Sequence, residues 1–337
     1  MNDTTSHDDG LRPPRIHLMD LMPETARWHA RDVRYLAGTI EQVMAELPEF
    51  ELRPFKHDLD GPPNPFLRTV VRLPRNEIER AIPVGVVSNS YSLASHRAVV
   101  AKCIEGMRDV NVDTRGLRAE LGLSQLGEWM NFRIYFPDSF KRCPSDKHDI
   151  ALRMECFNSV DGSCRLVVLL GWIRFICSNG MIVGESKAEL RDIHDARLDL
   201  EAIRTAIVNG LRLVEMDLGR LRGWEATRIT FNSTRTWVDN HLSDAWGKRA
   251  ASRVFHICTM GKDTELADPF APGPASEKPV REIRDVPGAI VPADNLYAVG
   301  QALSWVATGR TAPEQRVNWQ YQIADLLNQL RVTQLPL

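Results

Sequence analysis

Residues 129–136 alternate strictly. Met130, Phe132, Ile134 and Phe136 fall on one side, and Asn131, Arg133 and Tyr135 on the other, which is the period of a strand with one buried face. Two further β-rich runs, 150–158 and 164–177, flank Val160-Asp161-Gly162-Ser163. Asp-Gly between two such runs predicts a hairpin closed by a type I′ turn, with positive φ at both Asp161 and Gly162. That turn sets Asn158 opposite Arg165, Cys156 opposite Val167 and Met154 opposite Leu169, with Arg153 against Leu170 on the other face. Both faces read as largely apolar, so the hairpin is expected at the centre of a sheet. Asn179-Gly180 predicts a second tight turn. Residues 84–88 read as a short strand. Ser90 or Ser92 can then cap a helix whose apolar positions are Leu93, Val99, Val100, Cys103, Ile104 and Met107.

Helical spacing dominates elsewhere. Val33, Leu36, Ile40, Val43, Met44 and Leu47 predict a helix over 31–47, ended by Pro48. Leu200, Ile203, Ile207, Leu211, Val214, Leu218 and Leu221 are spaced 3, 4, 4, 3, 4, 3, a stripe that predicts one long helix. It fits packing across a sheet, or a seam joining subunits. A further helical tract covers 233–260, with a break at Gly247. Two helices close the chain: 295–308, stopped by Gly309, and one opened by the capping pattern Thr311-Ala312-Pro313-Glu314. The pattern thus predicts an α+β fold, a mainly antiparallel β-meander from about residue 66 to 183 packed against helices, with a helical C-terminal part. Four regions follow: a flexible lead-in over 1–30, an α+β core over 31–260, a connection over 261–292 containing six prolines, and a C-terminal helical hairpin over 293–337.

Composition narrows the class without naming a reaction. Of 337 residues, 43% are hydrophobic and 26% charged, and Lys plus Arg (42) nearly balances Asp plus Glu (44). A net charge of −2 supplies no bulk field for nucleic acid or anionic membranes. The first ten residues carry no apolar signal core, and the longest apolar stretch, 166–176, is short of the roughly 20 residues a bilayer helix needs. The six cysteines form no CxxC pair, which points to a reduced, cytoplasmic protein.

Candidate chemistry is sparse. The histidines form no HxH, HxxxH or HExxH, so no metal site is expected, and no Gly-rich phosphate loop or GxSxG elbow suggests a cofactor or a nucleophile. Six acids over 185–201 (Glu185, Glu189, Asp192, Asp195, Asp199 and Glu201) could hold a divalent cation, as in a nuclease, or could be a solvated helix start. Arg133, Arg153, Arg165 and Arg174 lie on expected strands, interleaved with aromatics including Trp129 and Tyr135. Such a set can grip a phosphate backbone and stack bases. The same arginines can instead be buried and paired with acids such as Glu155.

One resemblance goes further. Asn158-Ser159-Val160-Asp161-Gly162-Ser163, followed by Arg174-Phe175-Ile176-Cys177-Ser178-Asn179-Gly180-Met181, resembles the phage/plasmid-like protein family, a domain-of-unknown-function family numbered 932. Its motif residues here are Asn158, Asp161, Gly162, Ser163, Cys177, Asn179 and Gly180. Val87-Ser88-Asn89-Ser90-Tyr91 upstream and Asn295-Leu296-Tyr297-Ala298 downstream are similar to the family's strand-to-helix entry and closing helix, so the likeness spans about 80–310. The chain departs from it at Gly180-Met181, where many members have Thr-Leu. The resemblance implies residence on phages, plasmids or integrative elements and brings no catalytic residues. The meander followed by a long helix is also similar to the RecT/Redβ class of annealing proteins, an analogy of fold alone. The expected function is DNA binding, in single-strand annealing during recombination, with single-stranded DNA as partner and a homo-oligomer as assembly. The alternatives are a non-enzymatic interaction protein that modulates a host system through a protein partner, and a metal-dependent nuclease.

Overall fold

The computed structural model describes residues 33–333 except 57–59, 145, 175–179, 182–189, 193, 195–197, 265–282 and 311–312. The fold is α+β. Strands β1 (Arg34–Thr39), β5 (Arg118–Leu123), β6 (Trp129–Tyr135), β7 (Ile150–Ser159), β8 (Leu166–Arg174) and β10 (Leu190–Asp192) form an antiparallel sheet in the order β1-β5-β6-β7-β8-β10. β9 (Gly180–Met181) joins the other end of β8. A second antiparallel sheet, β2-β3-β4, comprises Phe50–Pro54, Leu67–Arg72 and Ile82–Ser88. It has its own small core of Phe50, Val70, Val87 and Val160. The expected meander over 66–183 is therefore two sheets, and the larger one begins at residue 34.

The alternation in β6 holds to the end. Met130, Phe132 and Ile134 line up with Leu123, Leu121 and Ala119 of β5 and with Asn158, Cys156 and Met154 of β7. This apolar face is covered by α2 (His96–Asp109) and α3 (Glu201–Arg212). The two helices cross at Gly106, where an added Cβ would lie 2.9 Å from the Arg204 carbonyl oxygen and 2.9 Å from Ile207 Cβ. α2 is capped by Ser95, whose side chain accepts the Ala98 N–H, and not by Ser90 or Ser92. The stripe from Leu200 to Leu221 is a pair of helices, α3 and α4 (Val214–Ala226), broken at Leu213. Its positions from Ile203 to Leu221 are nonetheless buried, α3 against α2 and the sheet and α4 against α8.

The expected helix over 31–47 is largely strand: β1 pairs with β5, and only α1 (Ile40–Ala45) is helical, opened by a capping box between Thr39 and Gln42. Contact with β5, some eighty residues on, outweighs the local 3.6-residue spacing. The hairpin also differs from a two-residue turn. Only Gly162 has positive φ, at +80°, and Cys156 faces Val168, Met154 faces Leu170 and Arg153 faces Gly171. Two side chains build this longer loop. Asp161 Oδ1 accepts the Ser163 N–H, and Ser159 Oγ accepts the Cys164 N–H while donating to its carbonyl. The expected turn at Asn179 lies outside the described residues.

Further helices follow: α5 (Phe231–Trp237), a π-helical turn at Val238–Leu242, α6 (Ser243–Trp246) and α7 (Lys248–Met260), with the break at Gly247, where φ is +84°. β11 (Lys262–Asp263) pairs with β12 (Arg284–Asp285). The nearly fully buried α8 (Leu296–Thr308), capped by Asn295, packs on α7 and α9 (Pro313–Thr333). Trp246 stacks on Trp319 at 4.4 Å, and the Arg310 guanidinium lies over the Trp319 ring at 4.4 Å.

The Gly106 crossing sets two effects against each other. Alanine gains about 1 kcal/mol of helix propensity over glycine, but forcing a methyl against backbone costs about 1–3 kcal/mol. Gly106→Ala is expected to lower stability by about 1 kcal/mol, read as a lower denaturant midpoint with an unchanged m-value.

Candidate functional site

The second face of the large sheet carries Arg133, Arg153, Trp129 and Tyr135, four of the residues singled out in the sequence. Within the hairpin that face is otherwise apolar, as expected, with Ala151, Phe157, Val167, Leu169 and Ile173 buried around Arg153 and Glu155. Glu120, Arg133 and Glu155 stand directly opposite one another on β5, β6 and β7, so charge alternates across three strands. Arg133 Nε donates to Glu155 Oε1 at 3.0 Å, and its Nη1 lies 3.5 Å from Glu120 Oε2. Arg118 donates to Glu120 at 2.9 Å, and Arg153 and Asn131 each donate to Glu155 at 3.0 Å. From α9, Arg316 lies 3.6 Å from Glu155 with its side chain fully buried. Burial alone would raise the pKa of Glu155, yet Arg316, Arg133 and Arg153 hold it well below the usual carboxylate range.

Arg133 and Arg153 are thus core residues, 2% and 4% exposed. Trp129 packs with Phe157, Val167 and Leu169, and Tyr135 with Ala151 and Ile173, all of them buried. None of these four proposed contacts presents a surface to a phosphate or a base. Arg165 is exposed beside the hairpin loop. Arg174 ends β8 opposite Ile150, and its side chain is outside the described residues.

Of the motif residues, Asn158, Asp161, Gly162 and Ser163 lie together at one end of the β7–β8 hairpin, while Gly180 pairs with Ile173 at the other end. Asn158 sits at the end of β7 on the apolar face, fully buried. Its Nδ2 donates to the Ala94 carbonyl at 3.0 Å and to His96 Nδ1 at 2.9 Å. Its Oδ1 accepts from His194 Nε2 at 2.9 Å. His96 Nε2 is 2.9 Å from the Gly127 carbonyl, an acceptor only, so Nε2 carries the proton and Nδ1 the lone pair. Burial pushes His96 down to about 4, with the Gly127 hydrogen bond acting against it. His194 stacks on Tyr91 at 5.3 Å and 13°, and its carbonyl accepts the Ser92 N–H. The Tyr91 hydroxyl donates to the Ser159 carbonyl, and burial pushes its pKa up.

Over this floor two loops meet. An added Cβ at Gly85 would lie 2.7 Å from Asp161 Cβ, so only glycine lets β4 approach the hairpin loop so closely. Ser88, Asn89 and Ser90 are exposed on one side, and Gly162, Ser163 and Arg165 on the other, with Asp161 half-buried between them. The junction thus joins the 87–91 and 158–163 motifs, some seventy residues apart in the chain. It offers hydroxyls, amides, one carboxylate and one guanidinium, which suits recognition by hydrogen bonding. His96 and His194, the residues that bind the junction together, were not singled out in the sequence: 98 positions separate them, and neither forms a local motif.

The remaining sequence candidates fall elsewhere. Cys177, Asn179, Glu185, Glu189 and Asp195 lie outside the described residues, as does the side chain of Asp192. Asp199 Oδ1 accepts the Glu201 N–H at the start of α3, and Glu201 pairs with Lys102. These two acids serve a helix start. Among the described residues no group of three or more His, Cys, Asp or Glu is placed to hold a metal, and no helix is long and apolar enough to cross a membrane.

Three stability measurements test this geometry. Glu155→Gln leaves three buried guanidinium groups without their shared carboxylate and is expected to cost about 3–5 kcal/mol. Asn158→Ala removes the hydrogen bonds that the Ala94 carbonyl, His96 Nδ1 and His194 Nε2 share through one side chain and is expected to cost about 3 kcal/mol. The unfolded chain protonates His96 near pH 6.5 and the folded one near 4. Its contribution is therefore complete above pH about 6.5 and falls by about 3 kcal/mol as the pH drops to 4. His96→Gln is expected to remove that part of the acid slope.

The comparisons with known proteins cover the 87–91 and 158–181 motifs, while the likeness read at 295–298 falls outside the matched range. No curated protein and no solved structure matches the chain. A family described as a domain of unknown function, DUF932, matches residues 83–282. That range contains His96, Asn158, His194 and both exposed loops, but leaves out β1, β2, β3, α8 and α9. The chain belongs to the DUF932 family.

Proposed function

We propose that this chain is a non-enzymatic interaction protein of a phage, plasmid or integrative element, and that it engages a protein partner of the host through the junction of the Ser88–Ser90 and Asp161–Arg165 loops. The observation that carries this reading is the shape of that junction. Two exposed polar loops are held in one arrangement by a buried hydrogen-bonded floor, inside the segment that defines the family. Loops pre-ordered on a rigid scaffold lose little entropy on binding.

Charge favours protein over nucleic acid as partner. Single-stranded DNA binding draws on a track of cations and exposed aromatics. Arg133, Arg153, Trp129 and Tyr135, which would form much of one, are packed into the core, and at the junction the exposed Arg165 is set against Asp161.

The expected outcome with fluorescently labelled single-stranded DNA at low salt is no saturable binding by folded protein. Binding that weakens with salt, with a log–log slope of about −0.7 per phosphate contacted, would overturn the reading in favour of annealing. A paired pull-down from host lysate tests the surface. A partner retained by wild type and by Arg222→Glu, on the exposed side of α4, is expected to be lost with Ser163→Arg. Equal retention by all three proteins counts against the junction.

A further inference from the structure

The helix α4 buries one side and leaves the other exposed. Val214, Leu218, Leu221 and Trp224 are buried, and the helix packs on α8. Glu215, Met216, Gly219, Arg222, Gly223 and Ala226 recur every three or four residues on the other side and are all exposed, so they form one continuous face. Met216 keeps 65% of its surface in water. Packing within the chain does not call for the two glycines. Glycine is among the poorest residues for a helix interior, and among the described residues nothing lies within 4 Å of a Cβ added to Gly219 or Gly223. At Gly106, by contrast, a neighbouring helix fills that space.

The charges along this helix are ordered. Glu215 and Asp217 precede Arg220 and Arg222, and reading the helix backwards gives the same spacing with every sign inverted. The midpoint falls between Leu218 and Gly219. A second α4 laid antiparallel about that point sets Glu215 against Arg222 and Asp217 against Arg220, twice over, as a two-fold contact requires. A parallel copy would set like charges together. Met216 then falls opposite position 221 of the second copy, between its Gly219 and Gly223, where two helices without Cβ atoms at the contact approach most closely. Acids early and bases late also suit the dipole of a lone helix, but that preference asks for neither the exposed methionine nor the glycines. We propose that the exposed face of α4 docks a second copy of this chain, antiparallel, with Met216 of each copy seated between Gly219 and Gly223 of the other.

This face lies away from the junction. Glu215 pairs with Arg142 at 3.6 Å, and Arg142 bridges to Ile150 at the start of β7. Asn158 is near the other end of that strand, about 26 Å further on. A pair joined through α4 leaves both junctions open, and the inference does not rest on reading them as recognition surfaces. One face of a 13-residue helix is smaller than the roughly 1,200–2,000 Å2 that stable complexes bury. The association is therefore weak and concentration-dependent, and salt weakens it further because the opposed charges lie at the surface.

Sedimentation equilibrium of the full chain between about 10 and 500 μM reads the association. Wild type is expected to move from monomer toward dimer across that range, and less far in about 0.5 M salt. Gly219→Leu is expected to lower the association constant at least about tenfold by holding the helices apart. Its denaturant midpoint is expected to rise, because leucine is the better helix former, so lost association is not lost folding. Glu215→Arg and Arg222→Glu are each expected to stay monomeric alone. Mixed in equal amounts they are expected to form a dimer, since each then meets opposite charges on the other. The inference is overturned if wild type stays monomeric at about 500 μM, if Gly219→Leu or either charge variant associates as wild type does, or if the mixture gains nothing over its parts. None of these substitutions touches the junction, so a failed dimer and a failed recognition surface are told apart.

Discussion

The carboxamide of Asn158 is the interaction on which the motif-bearing end of the molecule depends. One side chain at the end of β7 satisfies the Ala94 carbonyl just before α2, the first residue of α2 and a histidine from the far side of β10. Each of those groups is buried, and losing a hydrogen bond to a buried polar group costs about 1–3 kcal/mol. Asparagine suits the position because it combines two donors with one acceptor in a plane. Aspartate has no donors to offer, and leucine of similar size offers neither. The close approach at Gly85 and the Asx turn at Asp161 then place the two outer loops against each other.

A second constraint acts on the opposite face of the sheet. The row Glu120–Arg133–Glu155 is a poor source of net stability, because desolvating each ion costs several kcal/mol. Its effect is on register. A one-residue slip of β6 would carry Arg133 to the face lined by Phe132 and Ile134 and leave both carboxylates facing apolar side chains. Arg316 extends the network to α9, so the C-terminal helix docks on charge near its start, while Ile323, Leu326, Leu327 and Leu330 bury apolar surface further along.

These arrangements were legible in the sequence to different depths. The faces of β6 could be read because a strand's period of 2 needs no knowledge of its neighbours. The place of the β7–β8 hairpin was legible from Asp161-Gly162. Its register was not, since the loop is lengthened by hydrogen bonds from Ser159 and Asp161 that a type I′ rule does not contain. β1 was hidden because Val33, Leu36, Ile40 and Val43 also fit a helix, and only its pairing with β5 decides. β5 itself, whose residues are all buried, was not recognised, which removed Glu120 from view. Arg133 could then be read as a surface cation as readily as a core one. Glu155 was visible as the possible partner, and the structure takes that side. For the junction, the family resemblance flagged Asn158 and the hairpin motif, while His96 and His194 become meaningful only once the fold has brought them together.

The most direct test of the account is the protonation state of the His96 ring, read from imidazole nitrogen shifts in isotopically labelled protein. A neutral His96 with its proton on Nε2 and an acceptor Nδ1 is expected at neutral pH and below the pH about 6.5 at which an exposed histidine has half titrated. A proton on Nδ1 at neutral pH, or a ring that titrates like an exposed histidine, would contradict it, because Asn158 could not then hold both histidines and the loops above them.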